Sequence, residues 1–231
     1  MSQKNNFGQK MSVALSDWEV ARWPNESILQ GNWCSVAPID FDKHVEKLFN
    51  ALQKENSGES WTYLPYGPFN SQEEFAQWLA KTTLENGTKL YAICDMYSQP
   101  IGIAGYLRIT PDQGVIEIGH LHFSADLKKT PAATEAMYLM MKYAFDLGYR
   151  RYEWKCNTLN EPSIQAAKRL GFTFEGVFRQ HMVVKGYNRD TAWFSILDSE
   201  WADIKNKLEI WLRLANFNAE GKQINRLNTK E

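Results

Sequence analysis

The sequence predicts a mixed α/β fold, with a mostly antiparallel central sheet, helices on both faces and one strand–helix–strand crossover. Three observations carry this. The runs Lys89–Cys94, Ile101–Ile109 and Val115–Phe123 are apolar-rich and separated only by the turn segments Ser98-Gln99-Pro100 and Pro111-Asp112-Gln113-Gly114, so they read as consecutive strands. Between Val115–Phe123 and a further strand at Arg151–Cys156, the residues Ala133, Ala136, Met137, Met140, Ala144 and Leu147 fall at helical spacing. Such a unit is a right-handed parallel crossover. Finally, 231 residues with 44% hydrophobic and 23% charged content suffice for one domain with a full core.

The elements follow in order. Residues 1–27 are polar and punctuated by tryptophan, and are expected to form an arm lying on the domain. Ile28–Pro38 reads as a first strand ended by Pro38. Asp40 caps a helix with the stripe Phe41, Val45, Leu48, Phe49 and Leu52. Ser57–Asn70 is an aromatic loop. Ser71–Asn86 is a second helix, with Ser71 and Glu74 as a capping box and Gly87 ending it. After the crossover helix Pro131–Leu147, which Gly148 stops, a short helix runs from Ser163 to Leu170. Phe172–Val184 and Asp190–Leu197 form a closing pair of strands, and Ser199–Phe217 an amphipathic helix. The domain thus spans 28–217, and the polar tail 218–231 is expected to be disordered.

Composition excludes several classes. The net charge of −1 gives no basic footprint for nucleic acid. No apolar run reaches the ~18 residues of a membrane span, and the opening MSQKNNFGQK lacks a signal-peptide core. Cys34, Cys94 and Cys156 are widely spaced and odd in number, which suits reduced thiols and a cytoplasmic location.

The most informative stretch is Val115–Phe172. A strand feeds a polar turn with Lys128 and Lys129, and a helix opens at Pro131. The free first-turn amides, the positive end of the helix dipole and two lysines together favour a phosphate. Glu117-Ile118-Gly119 is followed by Lys128-Lys129-Thr130-Pro131-Ala132-Ala133-Thr134-Glu135-Ala136. Then come Arg151-Tyr152-Glu153, Asn160-Glu161-Pro162-Ser163 and Leu170-Gly171-Phe172. In this order and spacing the run resembles the GNAT superfamily of acetyl-CoA-dependent N-acyltransferases, most of all its RimJ/RimL-type branch. Similarity extends from about Gly31 to Trp201, with Leu29, Pro38, Gly176-Val177-Phe178-Arg179 and Asp190 also fitting. Both glycines of the family's phosphate loop are replaced here, by Lys129 and Pro131.

The resemblance implies acetyl-CoA as cosubstrate, its pyrophosphate held by Lys128, Lys129, Thr130, Ala132, Ala133 and Thr134. It implies pantetheine pairing along the backbone of Leu121 and Phe123, where an N–H can stabilise charge on the thioester oxygen. Asn160 would bond the cofactor arm and Ser163 would donate a proton to the leaving thiolate; both also suit ordinary helix capping. Glu117 matches the strand glutamate that serves as base in some relatives. In an ideal strand it shares a face with Gly119 and Leu121, with His120 and His122 opposite, unless a bulge at Gly119 changes the phase. Asp126 and Glu153 are further carboxylates to consider.

Trp61, Tyr63, Tyr66 and Phe69 are candidates for an acceptor wall, or for a lid packed on the core. His120 and His122 lack a third ligand, so no metal is expected. Cys156 reads as a buried thiol rather than an acyl carrier. The basic cluster Arg179, Lys185 and Arg189 reads as a solvated face.

The predicted activity is acetyl transfer to a primary amine by direct attack in a ternary complex. A lysine amine near pKa 10.4 is about three units too protonated at neutral pH, costing ~4 kcal/mol, whereas an α-amine costs about 1 kcal/mol or less. With no strong base evident, a protein or peptide N-terminus is favoured over other small amines. A homodimer is compatible with this reading. Two rivals remain: a non-catalytic acyl-CoA-binding module with a degenerate phosphate loop, and a metal-dependent hydrolase around His120 and His122.

Overall fold

The computed structural model describes residues 4–25, 27–54 and 58–227. Glu26, Ser57 and the last residues of the tail, all part of segments assigned above, lie outside that set. Eight strands form one sheet in the order β1-β2-β3-β4-β5-β6-β8-β7. They are β1 (Leu29–Gln30), β2 (Ser35–Pro38), β3 (Lys89–Cys94), β4 (Pro100–Thr110), β5 (Val115–Phe123), β6 (Arg151–Asn157), β7 (Thr173–Val184) and β8 (Tyr187–Leu197). Only β5 and β6 pair in parallel; every other neighbour is antiparallel. Five helices cover the sheet: α1 (Phe41–Gln53), α2 (Gln72–Thr83), α3 (Pro131–Asp146), α4 (Glu161–Arg169) and α5 (Asp198–Trp211). The mixed architecture expected from the sequence is therefore present.

Two cores result. On one face α3, α4 and α5 pack around Tyr106, Tyr152, Met140, Phe172 and Trp201. Tyr106 is fully buried, and its hydroxyl donates to the Met140 carbonyl at 2.6 Å, which satisfies it. On the other face α1 and α2 lay Val45, Leu48, Leu52, Phe75 and Leu79 over Leu90, Ala92 and Ile103 of β3 and β4. Phe41, assigned to the α1 stripe, is instead 40% exposed because it sits at the helix's first turn. The Ser71 hydroxyl accepts from Glu74 N at 3.2 Å, but the Glu74 carboxylate reaches back to Asn70 N rather than to Ser71.

Three expectations need correction. The single strand Ile28–Pro38 is a short hairpin, β1 and β2, because Glu135 of α3 reaches across from another part of the chain. Its carboxylate accepts from the amides of Asn32 (2.9 Å), Trp33 (2.6 Å) and Cys34 (2.9 Å), fixing a turn there. Gly31 is needed at this point, since a Cβ on it would lie 2.3 Å from the Glu135 carboxylate. The C-terminal helix ends at Trp211 rather than Phe217, and a 3-10 turn over Leu214–Asn216 follows. The described part of the tail is also held. Trp211 Nε1 donates to Gln223 Oε1 at 3.0 Å, and the Asn216 side chain accepts from Asn225 N at 2.9 Å. The arm lies along the end of α3, with Arg22 donating to the Asp146 carbonyl at 2.7 Å and Tyr143 to Asn25 Oδ1 at 2.7 Å.

Candidate active site

The site begins where the sheet opens. β5 and β6 pair only from Val115/Arg151 to Ile118/Trp154. Beyond that, β5 stays with β4 as far as Phe123 and β6 stays with β8 as far as Asn157, so the two strands part in a wedge. Ser124 N donates to the Ile101 carbonyl on the β4 side at 3.0 Å. Antiparallel alternation then turns the Phe123 amide away from β4, toward the wedge. A bulge sets two residues of β5, His120 and Leu121, opposite Ala104 alone, and His120 takes φ +50°.

α3 opens at the mouth of this wedge. Thr130 is its N-cap, accepting from Ala133 N at 3.3 Å and donating to the Leu127 carbonyl at 2.7 Å. Pro131 has no amide, so the first turn keeps the Ala132 amide as its open donor. Lys129 adopts φ +62°, the left-handed conformation that ordinarily favours glycine. Lys129 therefore holds a conformation that glycine would favour, whereas Pro131, at the other replaced glycine, is fixed in the helical range. Thr134 is buried, and its hydroxyl accepts from Arg169 at 3.0 Å. Arg169, which sequence reasoning did not single out, thus stands behind the helix start and also lies over Trp211.

At the other side of the wedge, Asn160 caps α4 by accepting from Ser163 N at 3.3 Å. Ser163 Oγ accepts from Trp154 Nε1 at 3.0 Å and also hydrogen-bonds the Cys156 side chain. Trp154, the last β6 residue paired with β5, therefore fixes the hydroxyl at the point where the strands separate. The Cys156 thiol is buried and burial pushes its pKa up, so it is not a nucleophile at neutral pH.

Glu117 lies on the opposite face of the sheet from α3 and α4. Its carboxylate meets Lys155 Nζ at 2.6 Å and Arg108 Nε at 3.1 Å, and Arg108 continues to Glu153. Burial pushes the Glu117 carboxyl above its usual range, while Lys155 and Arg108 pull it back; burial likewise lowers Lys155. Arg151 joins Glu153 (2.7 Å) to Glu175 (2.5 Å), completing a network across four strands. Asp126 is remote from it, paired with Lys54 at 2.6 Å. The expected phase of β5 needs correction in its second half. The bulge lies at His120–Leu121 rather than at Gly119, and the register sets His122 on the same face as Glu117.

The loop after α1 straps across this face. Ser60 Oγ is 3.0 Å from His122 Nε2, and Trp61 packs edge-on against the same ring. The Trp61 carbonyl accepts from Lys185 at 2.8 Å, and the Tyr63 hydroxyl donates to the Leu159 carbonyl at 3.0 Å. Tyr66 OH is 2.8 Å from His120 Nδ1 and stacks near Trp78, while Phe69 packs on Trp61 and Phe75. Trp61 is 3% exposed and belongs to the core, so of the four proposed wall residues it serves chiefly to hold the strap. Burial lowers His120 to about 4 and His122 to about 3, so both imidazoles are neutral at pH 7. Among the described residues no group of three His, Cys, Asp or Glu could hold a metal ion.

Beside the strap, the β7–β8 hairpin carries a bulge between Phe178 and Met182. An open hollow of about 890 Å³ sits there, lined by Phe178, Arg179, Gln180, His181, Asn188 and Asp190. Asp190, matched from the sequence without a role, accepts from Gln180 N (2.7 Å) and Asn188 (3.0 Å), which fixes the bulge. Arg108, Lys155 and Trp193 were not legible as site residues. Both cations lie over the Trp193 ring, a meeting made through strand register, which no local motif records.

Among the described residues, no helix is long and apolar enough to cross a membrane. The model of the acetyltransferase (GNAT) domain matches residues 36–173. The uncharacterized N-acetyltransferase p20 of Bacillus licheniformis is 28% identical over 144 residues, 60% of this chain and 78% of that protein. A GCN5-related N-acetyltransferase from Brucella melitensis matches with a TM-score of 0.89 at 44% identity, covering 92% of this chain and 97% of that one. A probable acetyltransferase (GNAT family) from Chromobacterium violaceum matches with a TM-score of 0.79, also at 44% identity, over 83% and 96% of the two chains. The wedge in the sheet, the helix start at its mouth and these matches agree: the chain belongs to the GNAT acetyltransferase family.

Proposed function

We propose that this acetyltransferase, of the RimJ/RimL type, acetylates the α-amine of a protein or peptide N-terminus by direct attack in a ternary complex. The observation that carries the reading is the open wedge, with its helix start and its capped Ser163 on one side of the sheet and its polar network on the other. The family's cosubstrate, acetyl-CoA, supplies an acetyl group activated as a thioester. The residues present fit it. Lys128, Lys129, the Thr130 hydroxyl and the Ala132 amide offer charge and donors for a pyrophosphate. The left-handed Lys129 counts against a degenerate, non-catalytic loop. The Leu121 and Phe123 backbone, without a strand partner on the wedge side, offers donors and acceptors to a pantetheine arm.

Ser163 gives its proton toward the departing sulfur, a hydrogen bond that strengthens as charge grows there. Asn160 orders the turn that holds Ser163. Glu117, locked between Lys155 and Arg108, accepts the amine's proton through a relay water rather than as a free base. Ternary attack follows because the chain's thiols are buried and unsuited to carry acetyl. The acceptor amine must then be weakly basic, as an α-amine is.

A panel of N-terminal peptides, polyamines, amino acids and aminoglycosides assayed with acetyl-CoA tests this. Peptide rates are expected to rise with pH and level off near the acceptor's own pKa. Efficient acetylation of internal lysines with N-termini untouched would overturn it.

A further inference from the structure

The face of the sheet opposite α3 and α4 is uncovered by helices over β6, β8 and β7. Strand register places Glu117, Glu153, Lys155, Thr191, Trp193, Ser195 and Arg189 on it. All its carboxylates are consumed internally. Glu117 is held by Lys155 and Arg108, Glu153 by Arg108 and Arg151, and Glu175 by Arg151 and Ser195. The cations are not all consumed. Arg189 is half-buried and its Nε donates to Thr191 Oγ1 at 3.2 Å, yet no carboxylate lies within salt-bridge distance of it among the described residues. Lys185, at the hairpin tip, is likewise without an acidic partner among the described residues and donates to the Trp61 carbonyl.

A half-buried guanidinium has lost part of its hydration, and a planar fork with unused donors best recovers it from a carboxylate. We propose that Arg189 recognises an anionic group close to the acceptor amine, so that the preferred substrates are N-terminal peptides with Asp or Glu in their first residues. This rests on the N-terminal reading above. The thioester, entering from the α3 and α4 side, meets an acceptor arriving on the opposite face. There Arg189 lies beyond the last β6 pairing, Asn157 with Thr191. Thr191 fixes the guanidinium, and His181 Nδ1 lies 3.0 Å from the same hydroxyl, which keeps Thr191 in place. A polycationic acceptor would find no free carboxylate on this face and would meet two unneutralised cations instead.

The test compares kcat/KM for three pentapeptides sharing one N-terminal residue, with acidic, neutral or basic residues following. The wild type is expected to prefer the acidic over the neutral peptide by about 10-fold, chiefly in KM and less so at high salt. Arg189→Gln should cut the acidic-to-neutral ratio to near one, and Arg189→Glu should invert it toward the basic peptide. Acetyl-CoA binding by calorimetry confirms that each variant is folded. Equal use of all three peptides by the wild type overturns the proposal, as does an unchanged ratio in Arg189→Gln. If no peptide is acetylated, the N-terminal reading fails on its own. The ratio of glycine to glycinamide as acceptors, in wild type and Arg189→Glu, then decides whether Arg189 reads an anion.

Discussion

Replacing Ser163 by alanine separates chemistry from structure. The hydroxyl has two dealings: it accepts from Trp154 Nε1 at 3.0 Å, and it hydrogen-bonds the Cys156 side chain, a bond its proton must leave to reach a departing sulfur. A hydrogen bond to a developing charge contributes about 1.5–3 kcal/mol, which predicts a loss of roughly 10- to 150-fold in kcat. Because that bond matters mainly in the transition state, KM for acetyl-CoA should move much less. The same substitution orphans the Trp154 indole N–H, costing about 1–3 kcal/mol of stability. Trp154→Phe isolates the second effect, since it keeps the Ser163 proton and removes only the donor that orients the hydroxyl. Steady-state kinetics with thiol detection, alongside urea unfolding, measures both. If Ser163→Ala loses stability but turns over normally per folded molecule, Ser163 is a structural residue of the α4 start and does nothing more.

Two further outcomes are expected. Lys128→Gln with Lys129→Gln should weaken CoA binding by about 1 kcal/mol or more in calorimetry, and an unchanged Kd would place the pyrophosphate elsewhere. Acid should destabilise the fold before most carboxylates titrate. Burial holds His120 and His122 near 4 and 3, below the ~6.5 of the unfolded chain, so the unfolded state binds more protons as pH falls below 6.5. Each then removes about 2 kcal/mol between pH 7 and pH 5. Urea midpoints followed by tryptophan fluorescence should fall over that window, less so in His122→Gln, and a flat profile refutes the assignment.

Local signals in the sequence were sufficient where the determinant is local. Lys89–Cys94 and Val115–Phe123 are strands with the bounds their apolar runs and turns imply, and Asp40 and Ser71 cap the helices that follow them. Legibility failed where the determinant lies far along the chain. The β1–β2 turn depends on Glu135, about a hundred residues away, and the tail is held by Asn216 and Trp211. The phase of β5 depends on a bulge whose only local trace is a histidine in a left-handed conformation. In the same way, motif order pointed to Ser163, Asn160 and the helix start, whereas Arg108, Lys155 and Arg189 acquire meaning only when four strands are laid side by side.

The short parallel pairing has a mechanical consequence. Strands β1 to β5 and strands β6, β8 and β7 are two antiparallel blocks whose only strand-to-strand seam is four residues long, from Val115/Arg151 to Ile118/Trp154. A seam of that length, widening at one end, is the natural line along which the sheet flexes, and α3 spans it as a splint on one side. A molecule lodged in the gap and bonded to both lips would act as a rivet, lengthening the seam from within. Amide exchange should therefore slow in both blocks at once on CoA binding, most of all at Leu121–Phe123 and Lys155–Asn157, where neither strand has a neighbour across the gap.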